Sequence, residues 1–301
     1  MRIVGFGDLY CDYYFKNNEL IGVMGGKTNA NIIANLSKYY DTSFIGVTTN
    51  DTPGLLTLKS LECLGVDVKN IKVIEGSCKK FFISEEGYTT VCPYCNRDLS
   101  YKGIKTTYEM VLPHIKEDDI LIVDSLNELS LNILKNVDNK AFLDIGYLGN
   151  LRFLSLDEII DMIESRFIII NMNERVYDYL KKKFSIDSQD LYDYFKCEVL
   201  IITRGKRGAD IIYNDEFEKK EIENPSVEVD TNGAGDAFFS EFIHTYLEEN
   251  EVNTKMISKA YIKASTLSRI VVSKLGARSH ILPLKKIINY KECICDKFDY
   301  Q

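Results

Sequence analysis

Apolar residues along this chain fall into two alternating periods. Short unbroken runs at 120–123, 141–144, 167–170 and 199–203 read as buried strands. Between them, 129–136, 156–164 and 174–183 repeat apolar positions three and four apart and read as helices. Strands that alternate with helices imply an α/β fold with a mainly parallel sheet covered on both faces. The first third adds strands at 2–6 and 43–47 and helices at 29–40 and 54–64, the second helix ending on Gly65 as a C-cap. A further helix is predicted over 256–272. One element breaks the alternation: 79–84 and 89–92 pattern as a hairpin around Glu85, Glu86 and Gly87, the best candidate for a small β appendage. No repeat, low-complexity tract or long linker interrupts the pattern, so residues 1–301 read as one main domain.

Composition narrows the chemistry. The chain is 45% apolar and 27% charged, ordinary values for a folded protein. A formal net charge of −8 argues against a nucleic-acid surface as the main partner. It leaves room for an anionic nucleotide held locally by a helix N-terminus or a magnesium ion. The first residues do not pattern as a signal peptide, and no stretch approaches the ~20 apolar residues that span a bilayer. A cytoplasmic protein without a membrane partner is expected, with its eight cysteines as thiols. With only His114, His244 and His280 present, chemistry built on a histidine pair has little to draw on.

The most informative segment is Asp230-Thr231-Asn232-Gly233-Ala234-Gly235-Asp236. Helical apolar spacing follows it directly, at Phe238, Phe239, Phe242, Ile243, Tyr246 and Leu247. Gly233, Ala234 and Gly235 carry almost no side chain, so their N–H groups can approach an anion at the positive end of that helix. Asp236 would then stand beside the anion. There a carboxylate can take a proton from an attacking hydroxyl while the amides stabilise a transferring phosphoryl group. Taken alone, the same turn reads more readily as an acidic residue that merely complements a helix dipole.

The turn is not alone. Thr203-Arg204-Gly205-Lys206-Arg207-Gly208 precedes it by about one hairpin, and Gly276-Ala277 follows the next helix. Gly25-Gly26 stands before the first helix, Gly65-Val66-Asp67 follows the second, and Asn171-Met172-Asn173-Glu174 forms an Asn-x-x-Glu pattern. In this order and spacing, the segments resemble the PfkB, or ribokinase-like, carbohydrate kinases along nearly the whole chain.

The resemblance implies a three-layer α/β/α domain with a small β lid, formed here by about 10–24 and 78–105. It implies ATP as phosphoryl donor, Asp236 as base and Gly233, Ala234 and Gly235 as anion hole. Thr203, Gly205 and Gly208 would seat the nucleotide, with Asn171 and Glu174 arranging Mg²⁺, Glu174 indirectly. Asp8, Asp12, Gly25, Gly26 and Asn31 would bind the sugar. A homodimer through the lid and a monovalent cation near Asp230 and Gly276 are further implications. Two positions depart from the pattern. The family's Asn falls five residues after the first glycine of its pair, where this chain has Ala30 followed by Asn31. Tyr10 stands where ribokinase-type sequences carry Asn. Within the class, a nucleoside kinase is the other reading, and a non-catalytic regulator on the same fold is a third. Asp8 and Asp12 also read as solvated turn carboxylates.

Other motifs carry less. Gly26-Lys27-Thr28 resembles the end of a P-loop, but Ile21 holds the place of its first glycine. Gly5-Phe6-Gly7 lacks the third glycine of a dinucleotide fingerprint, since Tyr10 stands there. Cys92-Pro93-Tyr94-Cys95 admits three readings: packing thiols, a zinc site completed by Cys293 and Cys295, or a redox pair.

Overall fold

The computed structural model describes residues 1–17, 19–84, 87–98, 105–222, 227–249 and 251–290, apart from the side chains of 286–290. Among these residues, nine strands form a large sheet: β1 (Arg2–Asp8), β4 (Asp41–Thr49), β5 (Ile71–Ile74), β8 (Asp119–Val123), β9 (Ala141–Ile145), β10 (Ile169–Asn173), β11 (Val199–Thr203), β12 (Ala209–Tyr213) and β13 (Glu216–Lys220). Their spatial order is β13-β12-β11-β10-β9-β8-β1-β4-β5. Every pair from β5 to β11 is parallel, and only the β11–β12 and β12–β13 pairings are antiparallel.

Helices cover both faces because successive side chains of a strand point to opposite sides. From β1, Ile3 enters one apolar core with α1 (Thr28–Leu36), α2 (Thr52–Glu62), α8 (Ala234–Glu249) and α9 (Thr254–Val272). Its neighbour Val4 enters the other. That second core is closed by α3 (Tyr108–Val111), α4 (Glu128–Leu134), α5 (Leu156–Ile163), α6 (Glu174–Phe184) and α7 (Ser188–Phe195). Local signals set the helix starts. Ser155 and Glu158 exchange bonds in a capping box at α5, and Asp51 accepts the Gly54 N–H at α2.

A second sheet comprises β2 (Tyr10–Lys16) and β3 (Glu19–Gly25), which lie between β1 and α1 in the chain, together with β6 (Lys79–Ser84), β7 (Gly87–Thr89) and β14 (Lys285–Tyr290), in the order β14-β3-β2-β6-β7. One face packs Cys11, Tyr13, Phe15, Val23 and Phe82 against Cys92, with Leu56 and Tyr94 alongside. The opposite face turns Asp12 and Tyr14 towards the glycine turn. There Asn232 Nδ2 and the Ala277 N–H both donate to the Tyr14 hydroxyl, at 2.9 and 3.2 Å.

The predicted alternation holds from 119 to 203, with ends shifted by a few residues. Polar Asn171 and Asn173 lie inside β10, which runs past the apolar stretch to Asn173. The helix expected over 29–40 stops at Leu36, and Tyr39 and Tyr40 pack on His244, the Tyr39 ring stacked at 3.6 Å. Strands β12, β13 and β14 and the polar helix α7 had no separate signal in the pattern. Glu85 and Glu86, expected at the hairpin turn, lie outside the described residues.

The two parallel strands at the head of the site approach unusually closely. Gly7 and Gly46 are register partners, and a Cβ at Gly46 would fall 1.9 Å from the Gly7 carbonyl oxygen. Gly46→Ala should therefore lower stability by about 1–3 kcal/mol through overpacking. Urea denaturation reads this, and an unchanged midpoint would contradict the close approach.

Candidate active site

The glycine turn is tied at both ends. Asp230 accepts the Asn232 N–H at 2.9 Å through Oδ1 and the Gly276 N–H at 2.8 Å through Oδ2. Gly233 adopts φ +78°, and a Cβ there would lie 2.5 Å from the Ala277 methyl. Both facts require glycine, since an L side chain would be strained in φ and would push the 276–278 loop away. The chain then enters α8, where the Ala234 N–H meets the Thr231 carbonyl at 3.3 Å and the Ala237 N–H the Gly233 carbonyl at 2.9 Å, while the start of a helix leaves the amides between them without an intrahelical partner.

Asp236 stands in that first turn, partly accessible. Asn31 Nδ2 donates to its Oδ2 at 2.6 Å. Desolvation pushes the Asp236 carboxyl up to about 6, and Asp124 adds to the rise, while bonds from Asn31 and Thr28 and the charge of Arg278 oppose it. Two buried carboxyls interact with it. Asp144, at the end of β9, is raised to about 8 by desolvation and by Asp236. Asp12 is raised to about 7 by desolvation, with Arg278 opposing.

A cavity of about 540 Å³ opens on one side of α8, lined among others by Thr203, Gly205, Gly208, Ala234, Gly235 and Tyr261. Gly208 has φ +93°, and a Cβ there would strike the Lys220 carbonyl oxygen at 1.9 Å, so the turn after β11 must be glycine. Glu174, at the start of α6, lines the same cavity but is ion-paired with Arg204 at 2.7 Å and with Arg207. The Arg207 and Arg204 bonds hold its carboxyl below the usual range. Asn171 lies deeper: its Nδ2 donates to Asp144 at 2.8 Å, and its buried Oδ1 has no partner.

A second cavity of about 540 Å³ lies at the end of β1, lined by Phe6, Asp8, Tyr10, Lys27, Tyr108 and Asp124 among others. Asp8 accepts the Thr106 N–H and hydroxyl at 2.8 and 2.7 Å. Lys27 pairs with Asp124 at 2.9 Å, and Asp124 also receives the Asn29 N–H. Gly26 is packed against Asp12, which a Cβ would meet at 2.3 Å, and Gly25 against Ser60 Oγ at 2.7 Å. The tertiary structure thus gathers Asp12, Gly26, Asn31 and Asp236 into one cluster, with Asp8 across the second cavity.

Residues 16–284 match the family model described as pfkB family carbohydrate kinase. This chain belongs to the PfkB family of carbohydrate kinases. A protein of Halopiger xanaduensis named ATP-dependent ribose-1-phosphate kinase is 23% identical over 265 residues, covering 85% of this chain and 82% of the relative. Among solved structures, the fructokinase of Xylella fastidiosa with bound ATP superposes with a TM-score of 0.76 at 14% identity, covering 93% of this chain and 94% of that one. The aminoimidazole riboside kinase of Salmonella enterica, complexed with aminoimidazole riboside and an ATP analogue, superposes with a TM-score of 0.72 at 20% identity, covering 94% and 97%. These likenesses show the three-layer ribokinase-like fold.

Within this PfkB kinase, four site residues had no sequence signal of their own. Asp124 and Asp144 end buried parallel strands, where such folds place ligands, and that rule could have found them. Lys27 was hidden in a false P-loop. Arg278 follows Gly276-Ala277 and gave no hint of its burial. Cys92 and Cys95 stand apart, in a turn closed by Asn96 N–H to the Cys92 carbonyl at 3.0 Å, with Asn96 at φ +58°. No helix starts at Cys92, so a helix-stabilised thiolate does not arise there. Cys293 and Cys295, the candidates for the remaining zinc ligands, lie outside the described residues. Among the described residues, no three metal-ligating side chains come together. No helix there is long and apolar enough to cross a membrane.

Raising the Asp236 carboxyl has a stability consequence. Its folded value of about 6 exceeds the ordinary 3.8, so the native state binds the extra proton and loses stability as pH rises through that window. Asp236→Asn removes this burden. Its melting temperature, relative to wild type, should rise between pH 5 and pH 7.5 and then level off. A difference that stays flat across that range would contradict the raised carboxyl.

Proposed function

We propose that this kinase transfers the terminal phosphoryl group of ATP to a hydroxyl of a sugar or sugar-like small molecule, with Asp236 as general base. The observation that carries this reading is the seat of Asp236. It lies in the first turn of α8, held by Asn31, with Ala234 and Gly235 lining one cavity and Asp124, its electrostatic neighbour, lining the other. The ATP named for the Halopiger relative and bound in the Xylella structure supports ATP as donor.

On this reading the cavity beside Thr203, Gly205 and Gly208 takes the nucleotide, and the amides of Gly233, Ala234 and Gly235 receive the charge that develops on the transferred group. Asp12, Asp8 and Asn31 hold acceptor hydroxyls beside Gly25 and Gly26. Asp236 accepts the proton of the hydroxyl that attacks. A carboxyl at about 6 suits the task, because it is ionised at neutral pH and still basic enough to take the proton. The small sheet, anchored to the glycine turn through Tyr14, Asn232 and Ala277, serves as the lid that keeps water from competing.

Magnesium, when bound, neutralises phosphate charge. Asn171, with its unpartnered Oδ1, and Asp144 beside it fit the hydrated shell of such an ion. Glu174 is bonded to Arg204 and Arg207, so its part in holding such an ion would be indirect. A monovalent cation is a further proposal for the loop that Asp230 ties to Gly276.

A nucleoside acceptor is the second reading. It is favoured by the aromatic and apolar wall of Phe6, Tyr10, Tyr108 and Leu129 in the acceptor cavity, a slot suited to a base beside the sugar. Coupled turnover with sugars, sugar phosphates, amino-sugar adducts and nucleosides separates the two. In the same assay Asp236→Asn should lose at least about a hundredfold in kcat while ATP binding, read by calorimetry, is retained. Turnover at the wild-type rate in that variant would sink the assignment of the base.

A further inference from the structure

Arg278 is fully buried, with no exposed surface. Its guanidinium makes three bonds: Nε to Asn31 Oδ1 at 2.6 Å, Nη1 to Ser60 Oγ at 2.9 Å and Nη2 to the Gly26 carbonyl at 2.9 Å. All three acceptors are neutral. Among the described residues, no carboxylate lies within ion-pairing distance, although Asp12 and Asp236 act on it at longer range. Burial pulls the guanidinium down to about 10, so it remains charged at neutral pH. A buried arginine without an ion pair is a poor way to stabilise a core. Apolar side chains of similar volume do as well or better.

We propose that Arg278 is a positioning residue: it fixes the orientation of Asn31 and thereby the hydrogen bond that Asn31 makes to Asp236. The argument is one of donors and acceptors. A guanidinium can only donate, so the Asn31 group that faces it must be the carbonyl oxygen. The amide nitrogen is then forced to the other side, where it donates to Asp236 Oδ2 at 2.6 Å. Without Arg278 the amide is free to turn over and present its oxygen to the carboxyl. That arrangement favours the protonated acid, which cannot act as a base.

The anions around Asp236 make this control matter. Asp124, Asp144 and Asp12 all face it from separate strands or their ends, and Lys27 is occupied with Asp124. Arg278 is the cation that opposes them at both Asp12 and Asp236. Its other two bonds reach α2 through Ser60 and the end of the small sheet through Gly26. The orientation of Asn31 is therefore set from the same place that holds the acceptor loop.

The inference rests on Asp236 as base, and it is tested without acceptor or ATP. In protein labelled with carbon-13 at aspartate side-chain carboxyls, the Asp236 signal is assigned by its loss in Asp236→Asn and titrated by NMR. The native midpoint is expected at about 6. Arg278→Met should raise it by about one unit, and Arg278→Lys, which keeps a buried cation, should restore much of that shift. A midpoint unmoved in folded Arg278→Met overturns the proposal. Asn31→Asp provides a second test with Arg278 in place. The new carboxyl, next to the guanidinium, should titrate below Asp236, and the reverse order overturns the proposal even where Arg278→Met does not fold. Failure here leaves the base assignment standing, whereas an active Asp236→Asn removes that assignment and leaves the titration intact.

Discussion

As the proposed base, Asp236 has to remain an ionised carboxylate while surrounded by other carboxylates and partly desolvated. Asp12, Asp124 and Asp144 all lie close enough to act on it, and desolvation works against its charge. The surrounding structure meets that demand with one neutral amide and one buried cation. Asn31 donates to the carboxylate, and Arg278 opposes the anions and holds Asn31. Much of the local geometry is arranged around this chain of contacts. Gly233 lets the loop that bears Arg278 lie against the turn that bears Asp236, and Asp230 bonds the two loops together.

The sheet explains how so many acidic residues converge. β1, β8, β9 and β10 are neighbours and parallel, so their C-terminal ends lie on one edge. Asp8, Asp124, Asp144 and Asn171 sit at or near those ends. The same edge receives the N-termini of α1, α6 and α8, which bring Asn31, Glu174 and Asp236. Carboxylates brought together in this way repel one another and raise each other's affinity for protons. The strain is tolerated because the interior strands are apolar on both faces and anchor the edge.

Much of this was legible in the sequence for particular reasons. The strands from β8 to β11 are buried on both faces, so they appear as unbroken apolar runs. The glycine turn is legible because φ and close packing leave no other residue at Gly233. The small sheet was harder. β2 is buried along most of its length and carries Asp12 in its middle, so it alternates neither as a surface strand nor as a clean core strand. α7 was missed because Ser188-Gln189-Asp190 is polar and the helix is short. The turn after β11 was legible in its glycines, but the pairing of Glu174 with Arg204 and Arg207 was not, since only folding brings β10 and β11 side by side.

By itself the sequence determined the fold class and the family, and singled out the residue proposed as base, because periodicity and obligatory glycines are local properties that survive without coordinates. It also placed an asparagine one residue away from the family's position, and left its role undecided. Only the tertiary structure decided that role. Asn31 faces Asp236 because Arg278, 247 positions further along the chain, takes its carbonyl oxygen. A hydrogen bond between such distant residues has no trace in local pattern, and the burial that makes it strong exists only once the two loops have met.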